Sequence, residues 1–115
     1  MDKNILLDLA NETVRRYGDL DPDFPEKMAR RIKRKFSVKV ETQIILEYIF
    51  HYKEIYGFAA SILKEYLMHP KGKYADPRDV DVEKFLHRLS ERYPDEDNEI
   101  LEKISGWVVY YEYLR

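Results

Sequence analysis

Basic side chains are concentrated in one short segment, from Glu26 to Val40. Seven Lys and Arg residues lie there beside a single acidic residue, in a chain whose net charge is −2. Cationic side chains at this density are typical of surfaces that bind polyanions, because each Lys or Arg that meets a phosphate group releases condensed counterions. The segment therefore predicts a nucleic-acid-binding site, and the acidic remainder of the chain predicts that such binding is local.

The basic segment has the periodicity of an amphipathic helix over about residues 26–36. At about 100° per residue, Met28, Ala29, Ile32 and Phe36 fall on one side of the helix. The other side is cationic, and its members are Lys27, Arg30, Arg31, Lys33, Arg34 and Lys35. A later loop adds three cations that we expect to contact phosphate as well, Lys71, Lys73 and Arg78.

Two classes of binding protein fit a basic helix on an acidic chain. The favoured one is a small nucleic-acid-associated or regulatory protein whose basic helix binds DNA or RNA. The alternative is a protein-interaction adaptor whose basic helix meets an acidic partner surface. A solvated face that pairs with acidic turns of its own chain or of a sister chain has the same sequence pattern. Salt dependence distinguishes nucleic-acid binding from the other possibilities.

Potential metal ligands occur on the polar side of the most apolar segment. Glu47, His51 and Glu54 lie within about 60° of one another on a helical wheel, so their side chains share one face. Three ligands on one helix cannot surround an ion, and no second segment has a matching Glu-x-x-His pair. We therefore predict no metal site, and we interpret His69 and His87 as capping or surface residues.

An alternating acidic triplet, Asp19, Asp21 and Asp23, resembles the beginning of a calcium-binding loop. Such a loop needs a glycine at its sixth position and a bidentate glutamate at its twelfth. This sequence has Phe24 and Arg30 at those positions. An acidic turn explains the triplet better than a calcium site.

The composition excludes several other functional classes. The chain has no cysteine, and none of its serines lies in a glycine-flanked elbow of the kind that carries a nucleophile. Its four glycines occur singly, so a phosphate-cradling loop is absent from the sequence. We predict neither an enzyme nor a cofactor-binding protein.

The N-terminal residues lack the basic and apolar regions of a signal peptide, and no apolar run approaches the roughly 18 residues of a membrane span. We therefore expect a cytoplasmic protein with no membrane partner. Charged residues make up 37% of the chain. Together with the scarcity of Asn, Gln and Cys, this composition is typical of proteins from thermophiles.

Breaks in the apolar pattern divide the chain into about six helical segments, and period-2 alternation is absent before the last ten residues. We expect an all-α fold, a compact single-domain bundle of five to six helices over residues 1–115. The first helix is predicted from Lys3 to Tyr17, with Gly18 as its cap. The third segment, Val40 to Tyr56, is the most apolar and is predicted to be central.

Gly57 interrupts the apolar pattern, and we expect the chain to turn there. The three segments from Glu41 to Tyr93 then have the outline of a trihelical helix-turn-helix core. The longest loop is predicted in the stretch HPKGKYADPRD, which holds two prolines and little apolar material.

The last helix has apolar residues on more than one side. Its core stripe is predicted to contain Ile100, Leu101, Ile104, Trp107, Val108, Tyr111 and Leu114. The opposite side carries Val109, Tyr110 and Tyr113, which are either sandwiched within the bundle or used for self-association. We expect a homodimer through these three residues. A β-strand over WVVYYEYL is the less favoured alternative, since the helical stripe begins well upstream.

Overall fold

A computed structural model describes residues 1–16, 21–68 and 75–114. The α-helices within these ranges are α1 (Lys3–Arg15), α2 (Phe24–Phe36), α3 (Thr42–Ile62), α4 (Val82–Arg92) and α5 (Asn98–Val109). Short 3₁₀ helices occupy Leu63–Tyr66 and Pro77–Asp79, and a π-helical segment occupies Tyr110–Leu114. The predicted all-α fold class is confirmed. None of the helices in these ranges combines the length and the apolarity that crossing a membrane requires.

The chain divides into two compact units, Met1–Glu54 and Ile55–Arg115. The boundary between them falls within α3. The single domain over residues 1–115 therefore stays a prediction.

In the first unit, α1 and α2 bury their apolar faces. Ile5 and Leu9 of α1 are buried, as are Met28 and Ile32 of α2. Further buried residues of this unit are Ala10, Val14, Phe24, Ile45, Ile49 and Tyr52. The apolar side predicted for the basic segment is thus the side that α2 buries, and its cationic side is left for solvent or for acidic neighbours.

Local sequence explains where α2 begins and ends. Pro25 lies in its first turn, where the fixed φ fits a helix and the missing N–H has no helical partner to lose. The helix ends at Ser37, whose backbone is left-handed with a φ of 58°. The Ser37 N–H donates to the Lys33 carbonyl over 3.0 Å. A left-handed cap of this kind stops the helix and redirects the chain.

The turn predicted at Gly57 is wrong, because α3 continues through this residue to Ile62. A glycine inside a helix costs only about 1 kcal/mol relative to alanine. Tyr56 and Ala59, on either side of it, are buried, and their burial outweighs that penalty. The predicted third and fourth segments are therefore one helix, and a helix-turn-helix core is not confirmed.

In the second unit, aspartates cap the helices. Asp81 accepts a hydrogen bond from the Lys84 N–H at the start of α4. Asp97 accepts from the N–H groups of Glu99 and Ile100 at the start of α5. These side chains satisfy donors that have no partner in the first helical turn.

Val109 and Tyr113 are each only 7% exposed, which fits the alternative in which these two residues are sandwiched within the bundle. Ser105 is also buried, and its hydroxyl donates to the Glu102 carbonyl. Tyr110 is 49% exposed, as the prediction requires, and the homodimer stays a prediction.

Tyr113 is turned inward by the π-helical segment. Each residue of a π-helix advances by a smaller angle than the roughly 100° of an α-helix. Over three residues this lag returns Tyr113 to the buried side, where its hydroxyl donates to Asp79 Oδ2 over 2.5 Å. The hydrogen bond, reinforced by burial, raises the pKa of Tyr113 to about 12.

Candidate nucleic-acid interface

The cations of α2 fall into two sets, and the first set binds carboxylates of the same chain. The Arg31 guanidinium donates to both oxygens of Asp8 in α1, with Nε–Oδ2 at 2.8 Å and Nη2–Oδ1 at 2.9 Å. Lys35 Nζ also donates to Asp8 Oδ1, over 3.1 Å. Because the Asp8 side chain is only 9% exposed, the two cations neutralise a nearly buried charge.

Glu12 extends this network along α1. Its carboxylate lies 3.3 Å from Arg15, 3.6 Å from Arg16 and 3.7 Å from Arg31. Arg31, predicted on the outer face, is thus directed toward α1, and its side chain is 33% exposed. Its position as a free phosphate ligand is wrong, since the fold already uses its hydrogen-bonding edge.

The contacts of Asp8 with Arg31 and Lys35 change the pKa of the Asp8 carboxyl group. The hydrogen bonds from Arg31 are the largest influence on the pKa of Asp8 and lower it from 3.8; burial opposes them, and Lys35 lowers the pKa further. The same contact raises the pKa of Arg31. The folded state therefore holds Asp8 ionised at a pH where the unfolded chain begins to protonate it.

We expect Asp8→Asn to lower the free energy of unfolding at neutral pH by about 1–2 kcal/mol. This is the usual contribution of a charge-assisted hydrogen bond, reduced because Arg31 is partly exposed to solvent. The folded-state pKa is depressed, so this stabilisation is complete above the unfolded value and is lost as the pH falls through the folded one. The difference between wild type and variant should therefore shrink below about pH 4. Urea unfolding at several pH values measures it, and a difference independent of pH would contradict the assignment.

Two other predicted phosphate ligands also have acidic partners. Lys27 Nζ lies 3.2 Å from Asp21 and 3.5 Å from Asp23, and these contacts raise the pKa of Lys27. Arg78 binds Asp76 in a bidentate manner, at 3.0 and 2.8 Å. The predicted ligands Lys71 and Lys73 lie outside the described residues, as do Asp19 and His69.

The second set of cations is solvent-exposed and unpaired. Arg30, Lys33 and Arg34 form no ion pair within residues 1–16, 21–68 and 75–114. They lie at positions i, i+3 and i+4 of α2 and therefore share one face. Lys39, just beyond the left-handed cap, is likewise exposed and unpaired within those ranges. We call Arg30, Lys33, Arg34 and Lys39 the open basic face.

A shallow groove of about 240 Å³ adjoins this face. Its lining consists of Ala29, Arg30, Lys33, Lys39, Val40, Glu41 and Thr42. Lys39 is not among the predicted phosphate ligands. Its place two residues after Ser37 is the sequence feature that could have indicated it. A helix cap redirects the chain at Ser37 and so changes where Lys39 lies relative to the helix.

The other candidate ligands do not form a metal site in the parts of the chain that the structure describes, where no group of three acidic or histidine side chains could hold an ion. Glu47 and Glu54 are exposed along α3, and His51 is half-buried beside the Tyr52 ring. His87 is on the surface, with Nε2 2.7 Å from Glu91.

No protein-family model matches this chain, and searches of curated proteins and of solved structures find no significant match either.

Proposed function

We propose that this protein binds nucleic acid through the open basic face. The observation that carries the proposal is the separation of the α2 cations into two sets. Lys27, Arg31 and Lys35 are paired with carboxylates, whereas the cations of the open basic face have no such partner in the described residues. Four neighbouring unpaired cations repel one another, and phosphate groups relieve that repulsion while releasing counterions.

The lining of the groove supports phosphate over a protein partner. Protein interfaces draw most of their binding energy from aromatic and arginine anchors in desolvated pockets. The apolar residues lining this groove are Ala29 and Val40, and the lining contains no aromatic side chain. The charged side chains of the lining are Arg30, Lys33, Lys39 and Glu41, so cationic hydrogen-bond donors outnumber the single carboxylate. Such a lining suits the phosphate backbone, which positions a protein without specifying a sequence.

Fluorescence anisotropy of the wild-type protein with labelled duplex and single-stranded probes, at several salt concentrations, tests the proposal. If all four cations meet phosphate, log Kobs should fall against log salt with a slope of about −3.6 on a duplex and about −2.8 on a single strand. Unlabelled heterologous DNA should compete. Absence of binding at low salt, or a slope near zero, would leave the adaptor with an acidic protein partner as the better interpretation.

A further inference from the structure

A pair of arginines lies in the second unit, on α4. Arg88 and Arg92 are one helical turn apart and both lie over the ring of Phe58, with Cζ 5.2 and 5.3 Å from its centroid. Arg92 also lies 5.8 Å from the centroid of Tyr93. The two rings meet edge to face, with centroids 5.9 Å apart and an interplanar angle of 81°.

These contacts fix the guanidinium groups before any partner arrives. Cation–π contact restrains each planar group at the ring while leaving its remaining N–H donors available. Neither Arg88 nor Arg92 forms an ion pair with a described residue. Two other side chains of α4 have acidic partners, since Lys84 Nζ lies 3.9 Å from Asp81 and His87 Nε2 lies 2.7 Å from Glu91.

Arg92 is exposed, and Phe58, Arg88 and Tyr93 are half-buried, so part of this cluster is accessible to a ligand. Planar arginine and aromatic side chains in such an arrangement stack on nucleobases, and they do so with little regard to base identity. Bases in a duplex are already stacked on their neighbours, whereas those of a single strand are free to stack on protein. The chemistry of the cluster therefore favours an unpaired strand.

We infer that Phe58, Arg88, Arg92 and Tyr93 form a contact site for single-stranded nucleic acid, which we call the arginine–aromatic cluster. The guanidinium groups bind phosphate and stack on bases, and the rings hold the guanidinium groups in place. This inference rests on the proposed function, because it assigns a preferred strand state to a protein that binds the nucleic-acid backbone elsewhere.

Anisotropy with three labelled probes of about 20 nucleotides tests the inference: oligothymidylate, an abasic strand of the same length, and a duplex. The Arg88→Gln/Arg92→Gln variant should bind oligothymidylate about tenfold more weakly than wild type, equivalent to about 1.4 kcal/mol. Its affinity for the duplex should change by less than twofold. The matched control, Lys84→Gln/His87→Gln, alters two side chains of the same helix that already have acidic partners, and it should bind all three probes like wild type.

A second variant, Arg88→Lys/Arg92→Lys, keeps the charge and removes the planar groups. It should bind the abasic strand like wild type and lose affinity for oligothymidylate. This variant tests the inference even if the Gln variant does not fold. If wild type binds oligothymidylate and both arginine variants match it, or if the control variant loses as much, the cluster has no such role while the proposed function stands. If wild type binds none of the probes at low salt, both fail.

Discussion

Replacing Arg30, Lys33 and Arg34 with glutamate is expected to lower the affinity for duplex DNA by orders of magnitude. The change removes three phosphate contacts and places three negative charges where the backbone would lie. The milder triple Gln variant should reduce the steepness of the salt dependence by up to about 2.7 units, at roughly 0.9 per lost contact. Both variants should fold, because the three side chains are exposed and unpaired within the described residues. Anisotropy and thermal melting measure the two effects.

Arg31→Gln is the matched control, since it removes a charge from the same helix. Arg31 is held by Asp8, so this variant should bind DNA with nearly the wild-type salt dependence and melt at a lower temperature. The opposite result would be a Glu variant that binds as well as wild type and an Arg31→Gln variant that does not. It would show that the cations paired with carboxylates bind DNA, and it would contradict binding through the open basic face.

Ile45→Ala and Ile49→Ala should each lower the free energy of unfolding by about 2–5 kcal/mol. Ile45 is 0% exposed and Ile49 is 3% exposed, so truncation to alanine removes buried methyl groups and leaves a cavity that the surrounding side chains fill only in part. Chemical denaturation followed by circular dichroism measures the loss.

The neighbouring Ile44 provides the control, because it is 42% exposed on the same helix. Ile44→Ala should change the free energy of unfolding by no more than about 0.5 kcal/mol, as surface substitutions usually do. Losses below about 1 kcal/mol at both Ile45 and Ile49 would show that the stabilising core of this unit lies elsewhere.

Periodicity in the sequence was sufficient to predict the all-α fold class and the buried side of α2. The roles of Pro25 in α2 and of Asp81 in α4 follow from local chemistry, because capping depends on residues within one helical turn. Gly57 misled the prediction, since the conformational penalty of one glycine is small beside the burial of Tyr56 and Ala59, which is set by tertiary packing.

The composition of the candidate site was predicted less well than its location. A helical wheel separates apolar from cationic positions but does not show which cations meet acids on another helix. Asp8 lies 23 residues before Arg31, so no local pattern could have paired them. The chain brings them together only when α1 and α2 pack. Of the cations predicted on α2, Arg30, Lys33 and Arg34 therefore remain in the open basic face after the fold has paired the others with carboxylates.

The π-helical segment also has a consequence for comparing this chain with others. Its wider winding accommodates one residue more than an α-helix would need between Val109 and Tyr113. A related chain that lacks one residue there could run as an ordinary α-helix and place its tyrosine three positions after the valine, still on the buried side. Alignment of the two would require a one-residue gap inside a helix. That gap, rather than any substitution, would mark the loss of the π-helical segment.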